Sequence, residues 1–527
     1  MRLLVREGTM VRRVRGTATV ALLAGTFSCT SLMSRPGNAP TPLSNEERVS
    51  HVLSRLTFGP RPGDVDRVAR MGVDRWIDQQ LHPASISDSA AVAALAPLPE
   101  WTTPTSQLAS FASKVPLLTY ARTPMAELMK DTVARAAMKS FAAGFAASRN
   151  FDAFYTGKVI RAETSDRQLL EVVSDFWENH FSVYAQKMPS REALILMDRD
   201  AIRGHALGKF RDLLGAVAHS PAMLYYLDNY VSKSGQLNEN YARELLELHT
   251  LGVDGGYTQH DVIEVARAFT GWTIAMNANP IAFTFRADQH DTEVKTFLGH
   301  TLRAGRGVED GEEVLDILAR HPSTARHIAY ELSRRLVSDD PPPSLVERAA
   351  ATFMKTDGDI AQTVKTIVTS REFYSRKAFR AKVKSPFELV VSMRRSLGAP
   401  VDTTTRTVQW IARLGQPTFG FAAPNGWPEI SAEWMNAGTI YQRLRFAGDV
   451  TDGRVAAMNV NQWPEWNTLS VAALQRQIDG VLKGLLGGIA DPRTRDAMLA
   501  IDTTLASPDR LRAAMMIAFA SPEFQRR

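Results

Sequence analysis

Cysteine is almost absent from this sequence: Cys29 is the only one among 527 residues. A single cysteine cannot form an intramolecular disulfide, so a disulfide-stabilised fold is excluded. Hydrophobic residues make up 44% of the chain, which is ample for a large core. Packing of that core must therefore supply the stability of the protein.

Several motifs that mark common enzyme classes are also missing. The sequence contains no G-x-x-x-x-G-K-[ST], no H-E-x-x-H, no G-x-S-x-G and no C-x-x-C. These absences exclude P-loop NTPases, zincin proteases and α/β-hydrolases with the usual nucleophile turn. Any functional site must therefore be formed by residues that do not belong to one of these short motifs.

Long hydrophobic runs are lacking as well. The longest near the N-terminus covers residues 17–27, about a dozen residues, whereas a transmembrane helix needs roughly 18 or more. It follows five arginines opposed by Glu7 alone: Arg2, Arg6, Arg12, Arg13 and Arg15. This pattern predicts a signal peptide over residues 1–29 and hence an exported protein, in the periplasm, at the outer membrane or outside the cell.

Cys29 lies directly after the apolar run and resembles a lipoprotein processing site, although Thr26 and Phe27 match that signal poorly. Ordinary cleavage nearby is the alternative. Removal of residues 1–28 takes away five positive charges and one negative charge, so the formal charge falls from +6 to +2. A near-neutral exported chain does not indicate a nucleic-acid partner, and a lipid anchor on Cys29 is the only membrane contact predicted.

Helical spacing of apolar residues predicts a mainly α fold, a large multi-helical globular domain with at most a small β-hairpin near residues 281–298. In that hairpin residues 281–286 would pair with residues 295–298. We expect a tether over 30–43 and one domain over 44–527, divided into an N-terminal subdomain (44–165), a core (166–319) and a C-terminal subdomain (320–527). Ser44 and Glu47 form a capping-box signature for the first helix.

The stretch over residues 237–251, L-N-E-N-Y-A-R-E-L-L-E-L-H-T-L, carries the densest set of functional side chains. On a helix Asn240, Arg243, Glu244 and Glu247 share one polar arc, and His249 faces the other way. Glu247 and His249 are two residues apart, so they do not share a face as a metal-ligand pair would. The stretch predicts a helix buried all round, with its polar arc in a hydrogen-bond network.

Two further histidines complete a candidate metal site. His180, in F-W-E-N-H-F, falls on the apolar face of its helix, and His290 lies in a polar loop beside Asp291. Neutral imidazole is a common ligand of divalent transition metals, and Asn179 could orient a ligating ring. The alternative is that these histidines are hydrogen-bonded core residues.

Two segments allow a structural and a functional interpretation. The basic run between residues 376 and 384 fits a solvated helix end better than a polyanion site. Residues 416–434 carry Phe419, Phe421, Trp427 and Trp434 among glycines and prolines; such loops can stack sugars, but a packed loop closing the core is the favoured interpretation.

Taken together, the motifs resemble one bacterial family, the domain of unknown function 1800 (DUF1800). The matching pieces are H-V-L-S-R-L-T-F-G-P-R-P-G-D, F-W-E-N-H-F, N-E-N-Y-A-R-E-L-L-E-L-H-T-L-G-V, A-R-A-F-T-G-W, H-D-T-E-V-K-T-F-L-G, P-N-G-W-P and S-P-E-F-Q-R-R. The resemblance links seven residues as one set: Asn179, His180, Asn240, Arg243, Glu244, Glu247 and His249. It leaves Glu178 unassigned, because that position is loosely specified in the family. It carries no established activity, but implies export and a partner, a sulfatase-like envelope protein whose genes neighbour those of the family.

We therefore expect an enzyme or cofactor protein of the envelope or extracellular material. Its pocket would use Glu244, Glu247 and Arg243 for catalysis, Asn179 and Asn240 for cofactor binding, and His180, His249 and His290 for a divalent transition metal. The alternative is a non-enzymatic envelope protein in which these residues form a buried structural network.

Overall fold

The structure is a computed structural model that describes residues 41–107, 130, 132, 135, 151–188, 191–276, 278 and 280–527. The predicted signal peptide and most of the predicted tether lie outside the described residues. Pro42–Arg527 forms one compact unit. Leu43, at the end of the predicted tether, is buried, and Arg376 donates to the carbonyl of Pro42, so both residues belong to the packed domain.

Short helices open the domain. They are α1 (Asn45–Leu56), α2 (Asp64–Met71), α3 (Val73–Leu81), α4 (Ser89–Leu95) and α5 (Pro99–Thr102). The capping box predicted for α1 is confirmed: the Ser44 hydroxyl accepts from the Glu47 N–H, and the Glu47 carboxylate accepts from the Ser44 N–H. Gly72 ends α2 with a φ of +88°, a conformation that glycine adopts at little cost.

The middle of the chain supplies part of the site. Its helices are α6 (Asp152–Thr164), α7 (Gln168–His180), α8 (Arg191–Ile195), α9 (Arg203–His205), α10 (Phe210–Ala218), α11 (Pro221–Tyr226), α12 (Asn240–Glu244) and α13 (Gln259–Ala268). Two π-helical segments, Leu196–Ile202 and Leu245–Thr250, continue α8 and α12. The stretch around 237–251 is thus helical as predicted, but its second half is wound more widely than an α-helix.

The β structure differs from the prediction in its pairing. Strand β1 (Trp272–Ala275) pairs with β2 (Ala282–Phe285), and β3 (Lys295–Phe297) pairs with β4 (His300–Leu302), both antiparallel. The predicted partner of residues 281–286 is therefore wrong. Trp272 is completely buried and its apolar strand completes the first hairpin, whereas the short turn after β3 brings β4 back beside it.

The remaining helices form the second half of the domain. They are α14 (Glu309–Ala319), α15 (Pro322–Leu336), α16 (Pro343–Lys355), α17 (Ile360–Val368), α18 (Pro386–Leu397), α19 (Arg406–Arg413), α20 (Ala437–Thr451), α21 (Trp466–Leu469), α22 (Leu474–Leu486), α23 (Pro492–Leu499), α24 (Ser507–Ala520) and α25 (Pro522–Gln525). Short 3₁₀ turns connect them and the earlier helices: Pro83–Ser85, Thr105–Gln107, Ala185–Lys187, Asn229–Val231, Ala287–Gln289, Ser431–Trp434 and Val460–Gln462.

One extended hydrophobic core joins most of these helices, from α1 to α25. A small second cluster of Leu95, Leu98 and Ile160 packs α4 against α6. All twelve side chains of α18 are buried, so this helix runs through the interior. In the part of the chain that the structure describes, no helix is both long and apolar enough to cross a membrane. The mainly α fold is confirmed.

The basic run between residues 376 and 384 is only partly solvated: Arg376 and Lys377 are exposed, but they lie in turns and not at a helix end. Lys382 and Lys384 are buried; Lys382 binds Asp339 at 2.7 Å and the Glu429 carbonyl, and Lys384 donates to the Ser392 hydroxyl at 2.7 Å. Burial lowers the pKa of Lys384 to about 7. These long side chains bind acceptors on elements that are distant in sequence. The interpretation as a helix end is wrong because it rested on sequence neighbours alone.

Candidate functional site

A polar pocket lies where α6, α7, α15, α18 and the loop over residues 416–434 meet. It encloses about 60 Å³, several times the roughly 10–15 Å³ that one water requires. Its lining divides into two groups. The ionic cluster comprises Lys158, Asp175, Glu178, Arg335, Glu388 and Glu429, and the aromatic wall comprises Phe387, Phe419, Phe421, Trp427 and Trp434.

Lys158 links the two carboxylates that α7 presents to the pocket. Its Nζ lies 2.9 Å from Asp175 Oδ1 and also contacts Glu178 Oε2. Asp175 and Glu178 are three residues apart and so share one face of the helix. The same Nζ lies 5.0 Å from the ring centroid of Phe387 and 5.2 Å from that of Phe419, which joins the ionic cluster to the aromatic wall.

Arg335 gathers carboxylates from three elements. It pairs with Asp175 Oδ2 at 2.9 Å, with Glu388 Oε1 at 3.2 Å and with Glu429 Oε1 at 3.0 Å. Its side chain is only 6% exposed, so these pairs are shielded from water. The buried Arg527 side chain lies 3.0 Å from Glu388 Oε1 and adds a second guanidinium behind the pocket.

The pKa of Glu178 is raised well above its ordinary value of 4.5, first by burial and then by the charge of Asp198. Asp198 belongs to the first π-helical segment and is completely buried. Glu178 Oε1 and both oxygens of Asp198 have no hydrogen-bond donor from another group, although Arg203 lies 3.6 Å and 3.9 Å away. Protonation of Glu178 avoids two negative charges in the same buried space, as expected when like charges share a buried site.

Asp175 behaves in the opposite way. Burial alone would raise its pKa, but the charges of Lys158 and Arg335 outweigh burial and hold the pKa below its usual range. One face of α7 therefore presents a protonated carboxyl group and an ionised carboxylate to the same pocket. Groups whose pKa values are pushed apart in this way are typical of acid–base sites.

Asn179 holds the aromatic wall in place. Its side-chain Nδ2 donates to the Trp427 carbonyl at 2.8 Å, and its Oδ1 accepts from the Trp427 N–H at 2.7 Å. Gly426 has a φ of +68°, and a Cβ there would lie 2.3 Å from the Asn179 carbonyl oxygen. The motifs F-W-E-N-H-F and P-N-G-W-P thus meet in one contact, and Asn179, predicted to bind a cofactor, binds this loop.

Exchange of Gly426 for Ala is expected to lower the free energy of unfolding by about 1–3 kcal/mol, because alanine is strained at positive φ and its Cβ would clash with Asn179. Chemical denaturation measures the loss. Gly453→Ala is the matched control, since Gly453 has a φ of +72° but nothing within 4 Å of the new Cβ. Equal losses in the two variants would contradict a role for the Asn179 contact.

His180 and His249 lie close together, as the sequence predicted, with ring centroids 6.2 Å apart. A third histidine joins them: the His327 ring is 6.0 Å from that of His180. His180 Nε2 donates to the His249 carbonyl at 3.2 Å, and His327 Nε2 donates to the Leu248 carbonyl at 3.1 Å. The two rings therefore cap carbonyls at the end of the second π-helical segment, where the helix leaves acceptors without partners.

Burial keeps His180 and His249 neutral. The pKa of His249 falls to about 3, first through burial and then through His327, and the pKa of His180 falls well below 6.5 for the same reasons. His290 lies in another cluster, where Nδ1 donates to the Thr270 carbonyl at 2.8 Å and Nε2 lies 3.3 Å from Asp310 Oδ2. Among the described residues, no three histidine, cysteine, aspartate or glutamate side chains are arranged to hold a metal ion.

The other predicted site residues lie outside the pocket. Arg243 pairs with Glu239 at 3.0 Å, Glu247 accepts from the Tyr257 hydroxyl at 3.4 Å, and Asn240 is exposed. Burial and the neighbouring Glu247 raise the pKa of Glu244. The expectation of a helix buried all round is wrong: Arg243, Glu244 and Glu247 are partly exposed, because only the face with Tyr241, Leu245 and His249 packs inward.

Sequence reasoning missed most of the ionic cluster. The spacing of Asp175 and Glu178 places both on one helix face, and this signal could have been found. Arg335 and Glu388 carried no such signal, because ordinary amphipathic helices also present single charged residues. Residues 416–434 were predicted to form a packed loop that closes the core. Four of the aromatic rings of this loop line the pocket.

A larger groove, of about 960 Å³, lies between the N-terminal helices and α22. Its lining includes Arg48, Asp74, Lys483 and several glycines, and it contains no buried acidic pair of the kind formed by Glu178 and Asp198. The smaller pocket is therefore the better candidate for chemistry.

Comparison with known proteins gives a family without an activity. A family model described as "Protein of unknown function (DUF1800)" matches residues 51–526. No curated protein and no solved structure matches the chain. Because the match covers nearly the whole sequence, the chain belongs to the DUF1800 family.

Proposed function

We propose that the chain is an enzyme that cleaves its substrate by acid catalysis in the pocket between α7 and the aromatic wall. The observation that carries this proposal is the pair of carboxyl groups on one face of α7, with the pKa of Glu178 raised and that of Asp175 lowered. In such a pair the protonated group donates to a leaving group, and the ionised group stabilises the positive charge that develops.

The neighbouring charges assign the two roles. Glu178 keeps its proton because burial raises its pKa and because the neighbouring Asp198 raises it further. Asp175 stays ionised because Lys158 and Arg335 both contact it. Lys158 contacts both carboxyl groups and fixes them in position, and Asp175, 2.9 Å from its Nζ, is the ionised partner that balances its charge.

The proposal also includes export, for which the support is the arginine-rich, apolar N-terminal sequence. The substrate would then belong to the cell envelope or to extracellular material, and a sulfatase-like envelope protein is the partner suggested by the family resemblance. The proposed chemistry at Glu178 and Asp175 is independent of both suggestions.

A second candidate is a non-enzymatic protein in which the ionic cluster is purely structural. Its support is that the cations of the cluster, Lys158 and Arg335, each contact at least two carboxyl groups. Such saturated networks also stabilise the interiors of proteins that have no activity.

A substrate screen with a pH profile separates the two candidates. The purified full chain is tested against chromogenic glycosides, esters and phosphoesters from acidic to alkaline pH, beside its Glu178→Gln variant. We expect turnover that falls as pH rises through the pKa of Glu178 and that is missing from the variant. Turnover equal in both proteins, or none in any substrate class, would contradict the enzymatic proposal and favour the structural one.

A further inference from the structure

The aromatic wall offers ring faces at the mouth of the pocket. Phe421 and Trp427 have ring centroids 4.8 Å apart, and Trp427 and Trp434 have centroids 5.9 Å apart. Phe421 and Trp427 are half-buried, so part of each ring remains accessible. Asn179 fixes the backbone of Trp427 through two hydrogen bonds. A ligand that stacks on this ring therefore binds with a small loss of conformational entropy.

Neutral hydrogen-bonding groups lie beside these rings. The Thr418 hydroxyl oxygen is buried and has no hydrogen-bond partner, and it lines the pocket. Gln416 accepts from the Phe387 N–H through Oε1, which leaves its amide NH₂ group as a donor. Ser182 adds a second hydroxyl to the lining. An unpartnered buried hydroxyl is costly, so a ligand group that binds Thr418 would be favoured.

The charges around the pocket balance. The cations Lys158, Arg335 and Arg527 face the carboxylates of Asp175, Glu388 and Glu429, and Glu178 keeps its proton. No guanidinium or ammonium group of this cluster is left to bind a phosphate, sulfate or carboxylate group. A strongly charged ligand would have to break existing pairs, whereas a neutral one would not.

We propose that the ligand of this pocket is a neutral carbohydrate, which stacks one sugar face on Trp427 and Phe421 and places a hydroxyl group on Thr418. Sugar rings combine apolar C–H faces with a rim of hydroxyl groups, and this matches aromatic rings that stand beside neutral donors and acceptors. The inference rests on the proposed function, since it names the substrate class of the same site.

In the reaction this ligand class implies, the bond that breaks is the glycosidic C–O bond. Glu178 donates its proton to the bridging oxygen as that bond breaks, and Asp175 stabilises the positive charge on the sugar. Water supplies the hydroxyl group to the anomeric carbon, and its remaining proton returns to Glu178. The enzyme is thus restored, and water is the only co-reactant.

Binding tests the ligand class separately from catalysis. The Glu178→Gln chain is titrated with neutral hexasaccharides of glucose, xylose, mannose and N-acetylglucosamine, and with hexagalacturonate as a charged comparison. Tryptophan fluorescence and calorimetry report binding. We expect at least one neutral hexasaccharide to bind, and Trp427→Ala in the same background to weaken its binding at least tenfold, while Trp427→Phe retains it.

Trp410→Ala is the matched control, because Trp410 is half-buried but lies outside the pocket, against Phe446. Thermal melting verifies that each variant is folded. Binding of hexagalacturonate alone, no binding of any neutral sugar, or unchanged binding in Trp427→Ala would overturn the inference. If no sugar binds but another substrate is turned over in a Glu178-dependent way, the ligand class is wrong and the proposed function stands. If a sugar binds but no substrate is turned over in this way, the ligand class is right and the proposed catalytic function is wrong.

Discussion

Replacement of Arg335 by Met is expected to lower the free energy of unfolding by about 3–5 kcal/mol. The guanidinium is buried and pairs with Asp175, Glu388 and Glu429, so its removal leaves three carboxylates short of a partner away from water. Methionine fills much of the same volume, which limits the contribution of an empty cavity. Denaturation with urea at neutral pH measures the loss.

The loss should shrink as the solution becomes acidic. Burial opposes ionisation of Asp175 and Glu388, but neighbouring cations hold their pKa values below the usual range. Their contribution to stability is therefore present above the unfolded-state pKa and disappears as pH falls through the folded-state pKa. Protonated carboxyl groups need no guanidinium, so wild type and variant should converge in acid.

Arg326→Met is the control from the same helix, α15. Arg326 pairs with Glu347 at 2.9 Å, but both side chains are 59% exposed, and surface pairs contribute about 0–1 kcal/mol. If both variants lost the same amount, burial of the ionic cluster could not be the cause, and the cluster would have no special role in stability.

Replacement of Glu178 by Gln is expected to lower kcat by about 10²–10⁴-fold while the chain stays folded. Glutamine has the shape of a protonated glutamate and can still donate to Asp198, but it has no proton to transfer. The steady-state rate on the substrate found by the screen measures the first effect, and denaturation measures the second.

The stability of this variant also reports the protonation state. The folded-state pKa of Glu178 is raised above its ordinary value of 4.5, so its proton contributes stability that is complete below that pH and is lost as pH rises through the folded-state pKa. Glutamine does not titrate, and Glu178→Gln should therefore gain stability relative to wild type as pH rises above 4.5.

Asp175→Asn is the comparison, because it makes the same carboxyl-to-amide change at an ionised group. It should lose about 1.5–3 kcal/mol at neutral pH, since it removes charged hydrogen bonds to Lys158 and Arg335. A similar loss in Glu178→Gln would show that Glu178 is ionised in the folded protein, and the assigned acid would then be wrong.

The elements that sequence predicted well are those whose causes are local. The capping box at Ser44 needs only a hydroxyl and an acid three residues later, and it forms. The partner of β2 could not be predicted in this way, because β1 and β3 both lie within reach and the packing of Trp272 decides between them.

The candidate site likewise contains features with local causes and features that depend on contacts between residues distant in sequence. The proximity of His180 to His249 followed from two apolar helix faces that each had to be buried. The contact of Asn179 with Trp427 joins residues 248 positions apart, and the partners of Arg335 come from three separate elements. Only the folded chain brings these groups together, so the pocket was missed although Asn179 and the aromatic loop were both noticed.

The first π-helical segment, Leu196–Ile202, sets the acidity of the pocket through its winding. A π-helix accommodates one more residue per turn than a regular α-helix would at the same place. If one residue were deleted there and regular winding returned, the two changes would compensate beyond the segment, and the side chains that change direction would be those within it, Asp198 among them. Asp198 would then turn away from Glu178. Glu178 would lose the neighbouring charge that helps it keep its proton. A single insertion or deletion in this helix would therefore change the pKa of a residue on another helix.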